Sequence, residues 1–98
     1  MVIYVAHKYG GDVENLKKAR AITRQLQLND LANCYVCPLL TFMTLGYAEV
    51  GYDAAMDLCL DLLSVCDILY VASEVSEGVR REIEFARLVG MEVVFIDR

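Results

Sequence analysis

The chain has 98 residues, a hydrophobic fraction of 57% and a formal net charge of −5. This length fits one domain near the lower limit for burying a full core. The acidic balance argues against a nucleic-acid polymer as a partner, because neutralising its phosphates requires a basic surface. A single nucleotide held by local dipoles remains compatible with it. No apolar run approaches the roughly 18 residues of a membrane span, so we expect no membrane partner.

The first six residues contain no basic leader, so we do not interpret them as a secretory signal and expect a cytoplasmic protein. Cys34 and Cys37 have the spacing of a zinc or redox pair. They lie in an apolar run typical of a strand, where positions three apart face opposite sides. We therefore favour buried free thiols for these two, and for Cys59 and Cys66, over the alternative of a metal site. We expect neither a metal nor a cofactor.

The first half of the chain alternates between strand and helix patterns. Its predicted elements are a strand over 2–6, a helix over 13–28 capped by Asp12, and a strand over 34–37. Gly10 and Gly11 break the chain after the first strand, and Pro38 stops the second. Residues 39–51 are apolar but interrupted by glycine, and we interpret them as a loop with one helical turn.

The second half continues the alternation. Its predicted elements are a helix over 52–65, a strand over 68–72, a helix over 78–89 ended by Gly90, and a strand over 92–96. This order predicts an α/β fold with a parallel sheet and right-handed crossovers. We expect one domain over 1–98 with three layers. Its four-stranded, doubly wound sheet has the order 2-1-3-4 of a small Rossmann-like or flavodoxin-like topology. The high apolar fraction suggests a sheet covered on both faces and a patch used for self-association.

Two loops are expected to meet beyond the carboxyl ends of the first and third strands, where ligands bind in such sheets. The first loop, residues 7–11, offers His7, Tyr9, Gly10 and Gly11 as ligand contacts. The glycines also fit an ordinary turn, and a single histidine also fits a structural role. Tyr9 is placed to stack on a base or to position a carboxylate. Neither G-x-G-x-x-G nor a P-loop pattern is present.

The second loop, residues 73–78, leads into a helix start that can bind an anion. Unpaired backbone N–H groups and the positive end of the helix dipole point outward there. Ser76 and Gly78, followed by Val79, are therefore candidate ligand contacts. The alternative is that Ser76 is a plain helix cap and Gly78 an ordinary turn glycine, since capping and phosphate binding use the same geometry.

Glu82 is the candidate catalytic residue. At about 100° per residue it shares the sheet-facing side of its helix with Val79, Ile83 and Ala86. A carboxylate on that side is costly unless it is paired or used. The functional interpretation is a nucleophile or general base at the mouth of the sheet. The alternative is a side chain that reaches an arginine or a backbone N–H.

Other charged residues favour a solvent-exposed role. Asp53, Asp57 and Asp61 recur every four residues, which is typical of a solvated helix face, although one of them could reach the site. Arg80 and Arg81 are expected in i,i+4 pairs with Glu84 and Glu77, respectively. Arg80 is also a second-choice phosphate contact.

Several of these motifs together resemble the nucleoside 2-deoxyribosyltransferase-like superfamily. The run Ser76-Glu-Gly-Val-Arg-Arg-Glu82 is similar to its (Asp/Ser)-x-Gly-x-x-x-Glu motif, and the serine form looks most like the 2′-deoxynucleoside 5′-phosphate N-hydrolases. The start, Ile3-Tyr-Val-Ala6 followed by Tyr9-Gly-Gly11, resembles the superfamily's first strand and glycine loop. Cys66-Asp67, which opens the third strand, resembles small bacterial and phage members.

The resemblance implies N-glycosidic chemistry. Glu82 would attack C1′ of a (deoxy)ribosyl group, Ser76 and Gly78 would hold the 5′-phosphate, and residues 9–11 would line the sugar and base. Two positions depart from the pattern: Cys59 stands where the superfamily often has an aspartate, and His7-Lys8 replaces a glycine-proline pair.

We therefore expect a nucleotide-binding protein that cleaves or transfers at the N-glycosidic bond of a nucleoside 5′-monophosphate or a related nucleotide. The alternatives are a non-catalytic binder that sequesters a nucleotide-derived metabolite or signal, and a scaffold without a ligand. We expect a homodimer or a higher homo-oligomer, in which Tyr47 and Tyr52 are candidates to complete a neighbouring subunit's site.

Overall fold

The protein is described here by a computed structural model, which covers residues 1–42, 45 and 47–96. Its strands are β1 (Val2–Ala6), β2 (Cys34–Val36), β3 (Ile68–Val71) and β4 (Glu92–Phe95). Its helices are α1 (Val13–Asn29), α2 (Pro38–Thr41), α3 (Tyr47–Val50), α4 (Tyr52–Ser64) and α5 (Glu77–Leu88).

The strands form one parallel sheet with the order β2-β1-β3-β4, which confirms the predicted α/β class and strand order. The chain leaves β1 toward β2 on one side and returns to β3 on the other. The carboxyl ends of β1 and β3 therefore form the switch point of this sheet. Tyr4 of β1 pairs with Leu69 of β3, and Ile68 pairs with Glu92 of β4.

Both faces of the sheet are covered, which gives three layers. On one face Tyr4, Leu69 and Val71 pack with Leu63 of α4 and Ile83 of α5. On the other face, Val5 and Ala72 pack with Ala19 of α1 and with Cys37. Side chains of β1 thus alternate between two cores, as the two-residue period of a strand requires.

The termini of the long helices follow local sequence signals. The Asp12 side chain accepts a hydrogen bond of 2.9 Å from the backbone N–H of Glu14 and caps α1. At the end of α5, Gly90 has a φ of 78°, a left-handed conformation that favours glycine. The backbone N–H of Met91 then bonds to the Ala86 carbonyl, and that of Gly90 to the Arg87 carbonyl. This is the Schellman arrangement that ends many helices.

Residues 39–51 differ in part from the predicted loop with one helical turn. Two short helices, α2 and α3, occupy much of this segment. Pro38 is the first residue of α2, a position where its fixed φ and missing N–H fit a helix start. Residues 43, 44 and 46 lie outside the described residues, as do residues 97 and 98.

The four cysteines are free thiols, but the prediction that all are buried is wrong for Cys34 and is met only in part by Cys59. Cys37 and Cys66 are buried and Cys59 is half-buried, whereas Cys34 is exposed. Cys34 is the first residue of β2, and β2 lies at the edge of the sheet, so only part of its surface is covered. Across the part of the chain that the structure covers, no three metal-ligating side chains cluster.

None of the described helices combines the length and the apolar character that crossing a membrane requires.

Candidate functional site

The loops after β1 and β3 are joined by hydrogen bonds at the switch point. The backbone N–H of Lys8 donates to the Ser73 hydroxyl at 2.8 Å. That buried hydroxyl donates in turn to the Glu74 carbonyl at 2.9 Å, and the side chains of Lys8 and Glu74 form an ion pair. The two loops that were predicted to meet therefore form one connected rim.

A cavity of about 200 Å³ opens beside this rim. It lies between the end of β1, the N-terminus of α5 and the start of α4. Seven of the eight predicted site residues line it: His7, Tyr9, Gly10, Ser76, Gly78, Val79 and Glu82. The site residues of the two loops and of α5 thus share one cavity.

Gly11, the eighth predicted site residue, is not among the residues that line this cavity. Its φ is 79°, and a Cβ built on it meets no heavy atom within 4 Å. Its conformation serves the turn that precedes the Asp12 cap, where a side chain would strain the backbone.

Glu82 is buried in the wall of the cavity, with only 4% of its surface exposed. The hydroxyl of Tyr4 donates a hydrogen bond to its Oε2. Burial raises the pKa of Glu82 to about 7, because a carboxylate loses hydration there, while the bond from Tyr4 acts in the opposite direction. The alternative interpretation, a link to an arginine or to a backbone N–H, is replaced by this tyrosine contact.

Tyr4 was not identified from the sequence as a site residue. It is fully buried, and burial together with the adjacent Glu82 raises its pKa well above the ordinary value for a tyrosine. The phenol therefore keeps its proton and acts as the donor. The sequence offered one signal for this role, the hydroxyl group of Tyr4 within the otherwise aliphatic run of β1. A buried phenol requires a hydrogen-bond partner, so a polar group could have been expected beside it.

The N-terminus of α5 forms a second wall. Ser76 caps the helix, and its Oγ accepts a hydrogen bond of 3.3 Å from the backbone N–H of Val79. A Cβ on Gly78 would lie 3.1 Å from Met56 Cε and 3.8 Å from the Tyr52 hydroxyl, so α4 approaches α5 closely at this point. Capping is therefore shown for Ser76, and the same residue still borders the cavity.

Arginine side chains near α5 are held outside the cavity lining. Arg80 pairs with Glu84, as predicted, and also with Glu77, which was expected to pair with Arg81. The bond from Arg80 lowers the pKa of Glu77. Arg81 instead lies 5.7 Å from the centre of the Tyr52 ring, and 3.8 Å from an Asp53 carboxylate oxygen. Glu77 and Glu84 thus hold the guanidinium of Arg80, which was predicted as a second-choice phosphate contact.

The predicted solvated face of α4 is confirmed. Asp53, Asp57 and Asp61 are all exposed, and none of them lines the cavity. Cys59, on the same helix, does line it. Burial raises the pKa of the Cys59 thiol to about 12, so at neutral pH it is an uncharged, weakly polar side chain.

A second compartment of about 160 Å³ adjoins the first. Tyr9, Pro38, Leu39, Ala55 and Cys59 line both. The remaining lining residues of the second compartment are apolar: Leu16, Phe42, Leu45, Val50 and Leu58. The site can therefore hold a molecule with an anionic end at α5, an electrophilic centre near Glu82 and an apolar or aromatic part beyond Cys59.

Comparison with known proteins gives one result at the level of the whole chain. A family model described as Domain of unknown function (DUF7768) matches residues 1–96. No curated protein gives a significant match. Because the matched residues include every strand, every described helix and the whole cavity, the chain belongs to the DUF7768 family.

Proposed function

We propose that this protein binds a nucleoside 5′-monophosphate, or a related nucleotide, and cleaves or transfers at its N-glycosidic bond. One observation carries the proposal. The buried carboxyl group of Glu82 and the N-terminus of α5 line the same cavity at the switch point of the sheet.

The N-terminus of α5 supports the binding of the phosphate. The backbone N–H groups of its first turn and the positive end of the helix dipole favour an anion. Gly78 leaves the first turn without a side chain on the cavity side, which allows close approach of a phosphate to the backbone. Ser76 adds a hydroxyl at the same place.

Glu82 supports the chemical step as the nucleophile. In this step a carboxylate oxygen forms a bond to C1′, and the electron pair of the C1′–N bond leaves with the base. Water, or a second base, then attacks C1′ and releases the carboxylate. With a pKa of about 7, Glu82 is ionised in a large fraction of molecules at neutral pH. The bond from Tyr4 orients the carboxylate and leaves its other oxygen available for the attack.

The resemblance of Ser76–Glu82 to the nucleoside 2-deoxyribosyltransferase-like superfamily supports the same chemistry. The expected spatial relation, a serine and a glycine at a helix start one turn from a sheet-facing glutamate, fits the geometry of α5. The adjoining apolar compartment suits a nucleobase, because its lining is mostly aliphatic and aromatic.

A second candidate function is non-catalytic binding of a nucleotide-derived metabolite or signal. The observation that favours it is the protonation state of the other groups that could act as a catalytic acid, Cys59 and Glu77. Cys59, which replaces the superfamily's aspartate, is an uncharged thiol, and Arg80 holds Glu77 in its ionised form. Glu82 is then the single carboxyl of raised pKa among the described lining residues. A second acid that protonates the departing base is not evident among these groups.

Incubation with a panel of ribo- and deoxyribonucleoside 5′-monophosphates separates the two functions. Chromatography detects free base, and the melting temperature of the protein detects binding. Base release from at least one nucleotide supports the enzyme. A higher melting temperature without base release supports the binder. Neither effect with any nucleotide contradicts both.

A further inference from the structure

His7 has a free ring nitrogen in a buried position. The side chain is only 8% exposed and lines the cavity at the end of β1. Its Nδ1 lies 2.7 Å from the Lys8 carbonyl oxygen, and because a carbonyl only accepts, Nδ1 carries the proton. Over residues 1–42, 45 and 47–96, Nε2 has no hydrogen-bond partner. Thr23 Oγ1 is the sole fully enclosed polar side-chain atom without a partner in that range, so Nε2 reaches open cavity space.

The part of the cavity wall that the structure describes has no lysine or arginine side chain. Among its described lining residues, Glu77 and Glu82 are carboxyls, and His7 is the one side chain that contains nitrogen. Lys8, the nearest lysine in sequence, forms an ion pair with Glu74. The other titratable groups around the cavity are the phenols of Tyr4, Tyr9 and Tyr52 and the thiol of Cys59, and a phenol or a thiol gains no positive charge.

An anion in this cavity would therefore face Glu82 and Glu77, whose charge is shared with Arg80 outside the lining. Among the described lining groups other than His7, the backbone dipoles of α5 are what would attract it. A dipole at a helix start carries the equivalent of about half a charge, whereas a phosphomonoester carries nearly two. A cationic side chain would balance the remaining negative charge of a bound phosphomonoester. Imidazole is the side chain that gains a positive charge most readily near neutral pH.

We propose that His7 is the cationic contact for a phosphomonoester bound over the N-terminus of α5. Nε2 takes one proton from solvent and donates it in a hydrogen bond to a phosphate oxygen, while Nδ1–H stays bonded to the Lys8 carbonyl. This inference rests on the phosphate site of the proposed function and adds its charge partner. Binding of a nucleotide is then coupled to uptake of one proton, and the parent nucleoside, which has no phosphate, does not draw that proton.

The chain contains one histidine, so its imidazole signals in an NMR spectrum of the untagged protein belong to His7 alone. The measurement uses the Glu82→Gln variant at pH 7.5, because this variant neither consumes the nucleotide nor takes up a proton at position 82. The probes are inorganic phosphate, deoxyadenosine 5′-monophosphate and deoxyadenosine. We expect the ring nitrogen and Cε1–H shifts to move to imidazolium values with the two phosphates and to stay neutral with the nucleoside.

Calorimetry in two buffers of different ionisation enthalpy gives a second readout. We expect uptake of up to one proton per bound nucleotide in Glu82→Gln. In Glu82→Gln/His7→Gln we expect no uptake and roughly tenfold weaker binding, the range for losing one hydrogen bond to a charged group. Glutamine keeps a neutral donor near the position of Nε2, and the melting temperature of the apo variant shows whether the fold is retained.

The outcomes separate this inference from the proposed function. Nucleotide binding with an unchanged, neutral His7 ring overturns the inference and leaves the proposed function standing. His7 could take up a proton with inorganic phosphate while the wild-type protein releases no base from any nucleotide. That outcome supports the inference and contradicts the proposed cleavage. Absence of binding by phosphate and nucleotide alike overturns both.

Discussion

Glu82 holds a carboxyl group in a position where its charged form is poorly solvated. Its pKa is raised from 4.5 to about 7, so the folded protein binds this proton more tightly than the unfolded chain does. The associated stability is complete below pH 4.5 and is lost as the pH rises through 7. A shift of this size corresponds to a loss on the order of 3 kcal/mol above pH 7. Such a cost is typical of a group that is retained for function.

Replacement by an uncharged isostere should remove that cost. We expect Glu82→Gln to be more stable than the wild type by about 1–3 kcal/mol at pH 8, and to lose this advantage at pH 4.5. The measurement is urea unfolding at the two pH values. Glu84→Gln is the matched control, because Glu84 lies on the same helix in an exposed ion pair with Arg80. An advantage that is equal at both pH values would contradict the burial argument.

Tyr4 supplies the hydrogen bond that keeps Glu82 partly ionised. Tyr4→Phe should raise the pKa of Glu82 further and reduce the free energy of unfolding at pH 8 by about 1–3 kcal/mol, with a smaller loss at pH 4.5. Tyr35→Phe is the control, since it removes a phenol bond of 2.7 Å to Asp30 nearer the surface. Equal losses for Tyr4→Phe at the two pH values would show that Tyr4 does not respond to the charge on Glu82.

At the scale of elements, α5 combines an ordinary helix stop with an unusual start. Its end is a Schellman arrangement around Gly90, whose positive φ favours glycine. Its start contains Gly78, which has an ordinary helical conformation and lines the cavity. Glycine at position 90 is therefore explained by its backbone conformation. Glycine at position 78 is explained by the limited room for a side chain beside the cavity.

Substitution by alanine at each of these two positions distinguishes an effect on stability from an effect on nucleotide binding. Gly90→Ala should lower the free energy of unfolding by about 1 kcal/mol and leave nucleotide binding unchanged. Gly78→Ala should change stability by less than about 0.5 kcal/mol, because the flexible Met56 Cε at 3.1 Å can move. Its added methyl group should weaken nucleotide binding at the start of α5 by about tenfold, measured by calorimetry. Unimpaired binding in Gly78→Ala would contradict the proposed position of the phosphate.

Sequence periodicity predicted the strands and the sheet-facing side of α5, because these depend on residues close together in the chain. The strand order was predicted from the alternation of strands and helices, which is typical of a doubly wound sheet. Periodicity did not predict α2 and α3, since glycines interrupt residues 39–51 and give conflicting local signals. The contact of Tyr4 with Glu82 joins residues 78 positions apart. It depends on how α5 sits over β1, which no local pattern specifies. Glu77 pairs with Arg80, three residues away, and not with Arg81, four residues away. This pairing depends on side-chain rotamers.

At the scale of the whole molecule, the two crossovers bring distant loops to one rim. The bond from Lys8 to Ser73 joins residues 65 positions apart and closes the switch point. Ser73→Ala should therefore loosen the first loop and lower the free energy of unfolding by about 1–3 kcal/mol, because the half-buried Lys8 amide loses its acceptor. Hydrogen exchange at the Lys8 amide is the direct measurement. Unchanged protection of that amide would contradict this role.

Self-association remains a prediction at this scale. Several large apolar side chains are exposed in the single chain, among them Leu88 at 85%, Phe95 at 56% and Val65 at 72%. Together with the 57% apolar composition, they favour a homodimer or a larger assembly. Light scattering at micromolar concentration should give at least twice the mass of one chain. A mass equal to one chain over the whole concentration range would contradict the expectation.

The initial rate of base release from the best nucleoside 5′-monophosphate tests the central claim most directly. We predict that Glu82→Gln lowers this rate at pH 7.5 by about 10³-fold or more relative to the wild type, while Glu84→Gln retains it. A Glu82→Gln protein that binds the nucleotide and releases base within a few-fold of the wild-type rate would contradict the role of Glu82 as the nucleophile.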